Sequence, residues 1–234
     1  TDDRYQFIFL TVRENQVEEA LEDISKNKSP NIVTMINTIK PYGKWEKICG
    51  KGRILPAFPG AGGCIEGGIL DAQLLPRAIQ PTTFGEIGGR KSSREEALAY
   101  IFRKSHIPYQ IVPEMHHWQI SHLGVIIPLA DAYYQSRHPE KICANEKLMT
   151  LTAYRMKKNL KWIAQKGMLC PAKLYMIKDM PTGMLAGVLS RVYQSEFGNR
   201  FLYRHAMHAP EEFQRLHQEF YNYMKTHTKE SNKA

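Results

Sequence analysis

Polar side chains that could bind a ligand follow two apolar runs near the start of the chain. Arg13 and Gln16 come directly after the run 5–12, and Asn37 follows the run 32–36. Open α/β sheets bind ligands at the carboxyl ends of their strands. Arginine supplies a persistent cation for phosphate, while Asn and Gln both donate and accept hydrogen bonds. The alternative is purely structural: Arg13 and Gln16 as helix-entry residues, and Asn37 as a turn residue that tolerates left-handed backbone.

Strands and helices alternate in the first half of the sequence, and this alternation would position those side chains. Apolar runs of strand type occur at 5–12, 32–36, 53–58 and 107–112, and helical spacing begins after Val17 and after Pro41. Such an order predicts a parallel sheet with right-handed crossovers. The Gly-rich stretch from 59 to 89 predicts hairpin-like edge strands at 69–75 and 78–84. Ser93 with Glu96 predicts a capping box at the start of a helix.

After Pro113 the pattern becomes helical throughout. Segments with 3.6-residue spacing run over 118–134, 148–163, 184–193 and 213–223. The first of them has almost no polar face, so we expect it at the centre of a bundle. The predicted fold is therefore an α/β domain over residues 1–112 followed by an all-helical domain over 113–234.

Composition excludes several classes of protein. The chain has 234 residues and a net charge of +9, and its basic residues are scattered rather than grouped in a long block. We therefore expect no nucleic-acid partner. No run of eighteen apolar residues occurs, so we expect no membrane partner and a cytoplasmic location. The four cysteines contain no Cys-x-x-Cys pair, which predicts neither a disulfide framework nor a zinc site.

Two histidines near the carboxyl terminus have a spacing that could hold a metal ion. His205 and His208 lie three residues apart, with Glu211 and Glu212 one turn further on. No third ligand is evident, whereas zinc sites need at least three protein ligands. The prediction is therefore that the chain has no metal site.

The polar turns resemble those of a known family, the ketopantoate reductases (2-dehydropantoate 2-reductases). The segment Val12-Arg13-Glu14-Asn15-Gln16 is similar to the Val-Lys-x-x-Gln that ends one strand in that family. Asn37-Thr38 is similar to the Asn-Gly that ends the next strand, with Thr replacing Gly. The segments 53–63 and 84–86 resemble a divergent branch. The resemblance spans most of the chain and is tightest over about the first ninety residues.

The resemblance implies a fold and a cofactor. Residues 1–112 would be the remainder of a Rossmann-like dinucleotide-binding domain, and 113–234 a helical substrate and dimerisation domain. Arg13 and Gln16 would border NADP, and Asn37 would lie near both the nicotinamide and the substrate. The family's Gly-x-Gly-x-x-Gly turn should precede Tyr5, so we expect it upstream of the sequence, the alternative being a degenerate member that no longer binds NADP.

The sequence departs from the family where the resemblance implies a catalytic lysine. The family places this general acid close to a Trp, whereas the segment 118–122 reads Trp-Gln-Ile-Ser-His. Reduction of a ketone by hydride needs a proton donor. His122 could replace the lysine, and His116 or His117 are weaker candidates, because imidazole titrates near neutral pH. The alternative for His122 is a buried histidine with a satisfied hydrogen bond.

Two further residues are assigned to the substrate. By the resemblance, Trp118 would face it from the first helix of the second domain. The family's usual Ser and Glu substrate ligands have no clear match over 180–208, and Glu212 is the residue expected to help define the pocket instead. The function predicted is an NADP-dependent reductase of a 2-keto acid, acting as a homodimer. The alternative is a non-catalytic assembly or binding module whose helical domain forms a dimer interface, with the helix 118–134 as its main surface.

Overall fold

The computed structural model describes residues 3–231, apart from the side chains of residues 64, 66 and 229–231. The chain divides into two compact units. The first unit contains the residues up to Ala61 and Gln73–His116, and the second contains Gly62–Ala72 and the chain from His117 onwards. The predicted boundary at 112/113 lies four residues before the second unit's main stretch, and nothing in the sequence indicated that 62–72 belongs with the helical unit.

Seven strands and nine α-helices lie within the described residues. The strands are β1 (Ile8–Leu10), β2 (Ile32–Met35), β3 (Ile54–Phe58), β4 (Ala61–Glu66), β5 (Ile69–Leu74), β6 (Thr82–Phe84) and β7 (Tyr109–Ile111). The helices are α1 (Val17–Ser25), α2 (Gly43–Cys49), α3 (Ser93–Lys104), α4 (Met115–Gln135), α5 (Glu146–Gln165), α6 (Lys173–Asp179), α7 (Thr182–Gln194), α8 (Arg204–His208) and α9 (Pro210–Ser231).

A five-stranded sheet forms the centre of the first unit, in the order β1-β2-β3-β6-β7. β1, β2 and β3 are parallel, β6 pairs antiparallel with β3, and β7 runs parallel to β6. The predicted α/β class followed by helices is confirmed. The predicted strand 5–12 is shorter than expected, because only Ile8–Leu10 pairs with β2.

Alternating side chains of the strands cover both faces of this sheet. Ile32 and Ile54 pack with α1 and α2 through Leu21 and Trp45. Val33, one residue further along β2, lies in the opposite cluster together with Phe102 of α3. This alternation is the two-residue period of a strand, and it explains why continuous apolar runs were needed at β2 and β3.

Two predictions for the stretch between β3 and α3 are wrong in detail. The strand at 69–75 pairs with β4, not with residues 78–84, and Thr82–Phe84 joins the central sheet instead. The β4–β5 turn is made by Gly67 and Gly68, whose φ values of 58° and 79° suit a tight hairpin turn. The capping box is formed by Ser92, not Ser93: the Ser92 Oγ accepts from the Glu95 N–H at 3.2 Å, and Glu95 accepts in return from the Ser92 N–H.

The second unit is helical around α4. Trp118, Leu123 and Ile127 of this helix are buried, and so is Phe220 of α9. At Gly124 an added Cβ would lie 2.7 Å from the Ile163 Cδ1, so glycine allows the close approach of α5. Because most large apolar side chains of α4 lie in the core, this helix does not present the broad dimer surface expected from its sequence.

Several elements of the second unit were absent from the predicted pattern. They are the short helices α6 and α8 and a π-helical segment at Gly198–Tyr203. Each is too short to produce a clear hydrophobic period. Across residues 3–231, the structure contains no helix with the length and apolarity that a membrane crossing requires.

Candidate functional site

The carboxyl ends of β1 and β2 place two of the predicted residues at the same edge of the sheet. The register pairs Leu10 with Thr34. Arg13 and Asn37 each lie three residues further on, so both follow their strands at the same level. Arg13 is exposed and Asn37 is half-buried. A guanidinium and an amide therefore both lie in loops that leave this edge of the sheet.

The side chain of Asn37 contains an unusual buried atom. Its Oδ1 is enclosed but accepts no hydrogen bond from the described residues. A buried acceptor without a donor costs free energy, so such an atom in a folded protein calls for an explanation. A ligand N–H or O–H at this edge would satisfy it. Gln16 differs, because its Oε1 already accepts from the Arg13 N–H at 3.2 Å and closes the turn after β1.

An ion pair that the sequence did not indicate links the two loops. Lys40 Nζ lies 2.8 Å from the Glu14 Oε1, and the Glu14 side chain is only 6% exposed. The Lys40 N–H also donates to the Thr38 Oγ1 at 3.0 Å, and Thr38 is fully buried. The loop after β2 is thus held by its own turn and by the loop after β1. Because Glu14 and Lys40 are 26 positions apart, no local sequence pattern predicts that they form an ion pair.

His116 also reaches this edge, from the start of α4. Its Nε2–H donates to the Ile39 carbonyl at 2.8 Å. The ring meets Tyr42 edge to face, with 5.8 Å between the ring centroids. Burial, with a smaller contribution from the Glu114 carboxylate, raises the pKa of Tyr42 far above its usual value, so Tyr42 stays neutral. The His116 imidazole, 77 positions away in the sequence, therefore contacts the loop that contains Asn37 and Thr38, two residues beyond Asn37.

The second unit groups the other predicted residues around two histidines. Trp118 is buried and stacks on His122, with 5.1 Å between the ring centroids and 6° between the planes. His122 keeps some accessible surface, but protein atoms crowd its ring. This burial, with repulsion from His205, lowers the pKa of His122 to about 4. His122 is therefore a neutral imidazole at neutral pH.

Glu212 enters the same group through His205. Burial lowers the pKa of His205, and the nearby Glu212 carboxylate partly offsets that effect. Glu212 also acts on Tyr134, whose pKa is raised to about 12 by burial first and then by the Asp131 and Glu212 charges. The Tyr134 hydroxyl donates to the Ala206 carbonyl at 2.6 Å. The predicted residues Trp118, His122 and Glu212 thus lie in one neighbourhood, which His205 connects.

The two histidines whose spacing could suit a metal ion, His205 and His208, make other contacts in the structure. The Nδ1–H of His208 donates to the Arg204 carbonyl at 2.7 Å, within its own helix. His205 instead packs edge to face on Phe213. No group of three His, Cys, Asp or Glu side chains in the described part of the chain is arranged to hold a metal ion.

The predicted residues therefore fall into two sets. Arg13, Gln16 and Asn37 belong to the first unit, together with His116, while Trp118, His122 and Glu212 belong to the second. Within each set the fold brings the residues into one region. Glu14 and Lys40 were not predicted as site residues, and His205 was considered only as a metal ligand, since their contacts join distant segments.

Solved structures with a similar fold include members of one enzyme family. A 2-dehydropantoate 2-reductase from Geobacter metallireducens is 16% identical, with a TM-score of 0.60 over 91% of this chain and 72% of that protein. A dimeric ketopantoate reductase from Staphylococcus aureus is 11% identical, with a TM-score of 0.59 over 97% and 78%. The predicted resemblance to this family is confirmed at the level of the fold.

A third similar structure comes from a different enzyme. D-mandelate dehydrogenase in complex with NADH and anilino(oxo)acetate is 13% identical, with a TM-score of 0.51 over 96% of this chain and 77% of that protein. No family model and no curated protein sequence matches the chain. The chain therefore has a Rossmann-like domain followed by a helical domain, as in 2-dehydropantoate 2-reductases.

Proposed function

We propose that the protein is a nicotinamide-dinucleotide-dependent reductase of a 2-oxo acid, with NADP as its cofactor. The observation that carries the proposal is the enclosed Asn37 Oδ1 at the carboxyl edge of β2, which accepts no hydrogen bond from the described residues. Ligands of α/β sheets bind at this edge. The shared fold with 2-dehydropantoate 2-reductases and D-mandelate dehydrogenase supports the same reading.

The residues at the edge fit a dinucleotide. Arg13 offers an exposed guanidinium to a phosphate, and the Asn37 Oδ1 would accept from an N–H or O–H of the nicotinamide half. Gln16 would border the cofactor through its amide nitrogen, because its oxygen closes the turn. When bound, a reduced nicotinamide supplies a hydride.

The proton donor is the second requirement, and two histidines compete for it. His116 lies at the edge with Asn37, and its hydrogen bond to the Ile39 carbonyl fixes the orientation of its ring. His122 is neutral at pH 7 because its pKa is about 4, so it would become a charged donor only beside a bound anion. We therefore place His116 first and His122 second.

The remaining roles follow the family expectation. Trp118 and Glu212 would shape the substrate pocket, Trp118 from a buried position and Glu212 from a half-buried one. The 2-oxo acid would be a branched one or a relative. We also propose a cytoplasmic homodimer, since the Staphylococcus aureus ketopantoate reductase is described as dimeric. Sedimentation velocity tests the dimer, and a single monomer peak would contradict it.

The cofactor is tested by binding, independently of turnover. Asn37→Ala should weaken NADPH binding about tenfold, because one hydrogen bond of about 1 kcal/mol or slightly more is lost. Asn31→Ala is the matched control: Asn31 precedes β2 at the opposite edge, where its Nδ2–H donates to the Gln6 carbonyl. The measurement is a fluorescence titration of the full gene product with NADPH and, in parallel, NADH.

Turnover is tested with a panel of 2-oxo acids by following the absorbance of the reduced nicotinamide. His116→Ala should lower kcat strongly, whereas His122→Ala should change KM more than kcat. Absence of both dinucleotide binding and turnover would overturn the proposal. Equal binding by the Asn37 and Asn31 variants would remove Asn37 from the site.

A further inference from the structure

The positive charge of the protein is concentrated in three consecutive helices. The segment from α5 to α7, residues 146–194, contains nine Lys or Arg and only two acidic residues, a net charge of +7. The whole chain has a net charge of +9. The rest of the molecule is therefore close to neutral, and any anionic surface will be attracted first to this segment.

Part of that charge is used inside the fold and part is presented to solvent. Lys157 Nζ donates to the Met180 carbonyl, and Lys166 Nζ donates to the His227 carbonyl at 2.8 Å. In contrast, Lys147, Lys158 and Lys161 are exposed and form no ion pair with the described residues. These three lysines stand on one stripe of α5, at positions separated by eleven and three residues. Their charge is available to an external partner.

Large apolar side chains occupy the same exposed stripe and the two helices beside it. Leu151 and Tyr154 lie between Lys147 and Lys158 on α5, and Tyr154 is 56% exposed. Among the large apolar side chains of α5, α6 and α7, Met176 of α6 and Met184 of α7 are the most exposed, at 73% and 60%. Soluble proteins seldom expose such groups together without a partner.

Hydrogen bonds near both ends of α7 show how it packs against α5. Lys157 of α5 contacts the start of α7, since its Nζ bonds to the Met180 carbonyl and lies 3.4 Å from the Thr182 Oγ1. The far end of α7 returns towards the start of α5, where the Ser190 Oγ donates to the Cys143 carbonyl at 2.8 Å. α5 and α7 are therefore antiparallel neighbours, and we call the exposed basic and apolar side chains of α5, α6 and α7 the basic apolar face. It comprises Lys147, Leu151, Tyr154, Lys158, Lys161, Met176, Met184, Val188 and Arg191.

An open cleft adjoins this face at the start of α5. It has a volume of about 770 Å³, and Arg137, His138, Lys141 and Lys147 are among its lining residues. Lys147 belongs both to the cleft and to the face. Anionic groups of a partner could thus be held at one end of the face while its apolar side chains are covered.

We propose that the basic apolar face docks on an anionic lipid bilayer, as a peripheral contact. Lys and Arg near such a surface are attracted to its acidic headgroups, and Met, Leu, Val and Tyr insert at the boundary of the acyl chains. A second copy of the chain would bring two faces together that each contain Lys147, Lys158, Lys161 and Arg191, so like charges would repel. A nucleic acid would supply phosphates for the basic side chains, but it has no apolar region that would bury the aliphatic ones. This revises the expectation, drawn from the absence of long apolar runs, that no membrane is a partner.

The test measures co-sedimentation of the full protein with two kinds of vesicle. Vesicles of phosphatidylcholine with one third phosphatidylglycerol should bind the protein, and pure phosphatidylcholine vesicles should not. Lys158→Gln with Lys161→Gln should lower the affinity about thirtyfold, because each basic side chain near an anionic bilayer contributes about fivefold. Lys47→Gln with Lys51→Gln is the control, since it removes the same charge from the first unit.

The apolar part of the face has its own readout. Met176→Ser with Met184→Ser should weaken vesicle binding while leaving its salt dependence unchanged, because the charges remain. Equal binding to both kinds of vesicle, or an equal loss in the Lys47 and Lys51 control, would overturn the proposal. Binding to duplex DNA but not to vesicles would overturn it. The proposal would also fail if Met184→Ser with Val188→Ser changed the oligomeric state but not the vesicle affinity, because the face would then be an interface between copies of the chain.

Discussion

The two units hold two sets of ionisable groups in opposite ways. In the first unit two buried carboxylates have cationic partners: Glu86 with Arg94, and Glu14 with Lys40. In the second unit His122 and His205 are held in the neutral form, because burial lowers the pKa of each. Glu14 and Glu86 are thus stabilised as charged groups, whereas His122 and His205 are held neutral and a bound anion would favour their protonation.

This contrast follows from the elements that carry the groups. Loops at a sheet edge place side chains partly in water, where oppositely charged partners from neighbouring loops can meet. Helices packed side by side leave little water around an inward-facing ring, and burial then disfavours the charged form. Four changes test this contrast, and they follow from the largest expected effect to the smallest.

Removing the Arg94 guanidinium should cost the most. Burial alone would raise the pKa of Glu86, but hydrogen bonds from Arg94 and Ser92 outweigh that effect and lower it. Arg94 also donates to the Gly52 and Ile54 carbonyls at 2.6 and 3.0 Å. Arg94→Ala should therefore reduce the free energy of unfolding by about 3–5 kcal/mol, since a buried carboxylate loses its partner. Urea denaturation measures this, with the exposed Arg103→Ala on the same helix as control; a loss below about 1 kcal/mol would contradict the pairing.

Acid should destabilise the protein through His122. Its pKa is lowered to about 4 in the folded state, against an ordinary value of 6.5, so the unfolded chain binds more protons between these pH values. The free energy of unfolding should therefore fall by about 3 kcal/mol as the pH drops from about 6.5 to about 4. His122→Gln should flatten this part of the stability curve, while replacement of the exposed His138 should not. An unchanged slope in the His122 variant would show that the ring is charged when folded.

Ser121 tests whether neutral hydrogen bonds hold the helical unit around its histidines. The Ser121 side chain is fully buried, its Oγ donates to the Met168 carbonyl at 3.2 Å, and it accepts from the Cys170 N–H at 3.0 Å. Ser121→Ala should cost about 1–2 kcal/mol, because it leaves a buried donor and a buried acceptor without their partner. Thermal unfolding measures the change, and the exposed Ser93→Ala is a surface comparison. No shift in Tm would mean that water replaces the hydroxyl.

Lys40 should have the smallest effect of the four. Its side chain is 53% exposed although that of Glu14 is buried, so solvent screens much of the attraction between them. A double-mutant cycle with Lys40→Met and Glu14→Gln should give a coupling below about 1 kcal/mol that weakens with added salt. A salt-independent coupling above about 2 kcal/mol would mean that this edge, too, stores its charges away from water.

The sequence predicted most of the regular elements because their hydrophobic periods are long. The order of β1, α1, β2, α2 and β3 followed from alternating apolar runs, and α4, α5, α7 and α9 from helical spacing. β4 was missed because its sequence, Ala-Gly-Gly-Cys-Ile-Glu, reads as a turn. A shift of one residue at the cap of α3 arose because Ser92 and Ser93 are adjacent and both are followed by glutamates at the right distance.

The candidate site was predictable only in part. Arg13 and Asn37 could be chosen because each follows an apolar run, which is a local pattern. The concentration of charge in residues 146–194 was also present in the sequence, but its meaning depended on which lysines are exposed. His116 was a weaker candidate for the proton donor than His122, because its contact with Ile39 joins residues 77 positions apart and leaves no local pattern.

By itself the sequence determined the two fold classes, their order and the polar turns that end β1 and β2, because these depend on residue type and short-range periodicity. Only the tertiary structure decided which groups are charged. The orphaned Asn37 Oδ1, the neutral His122 and the exposed stripe of α5 each result from what neighbouring segments bring within a few ångströms. Burial and pairing act through space, so groups distant in the sequence set the chemistry of each residue.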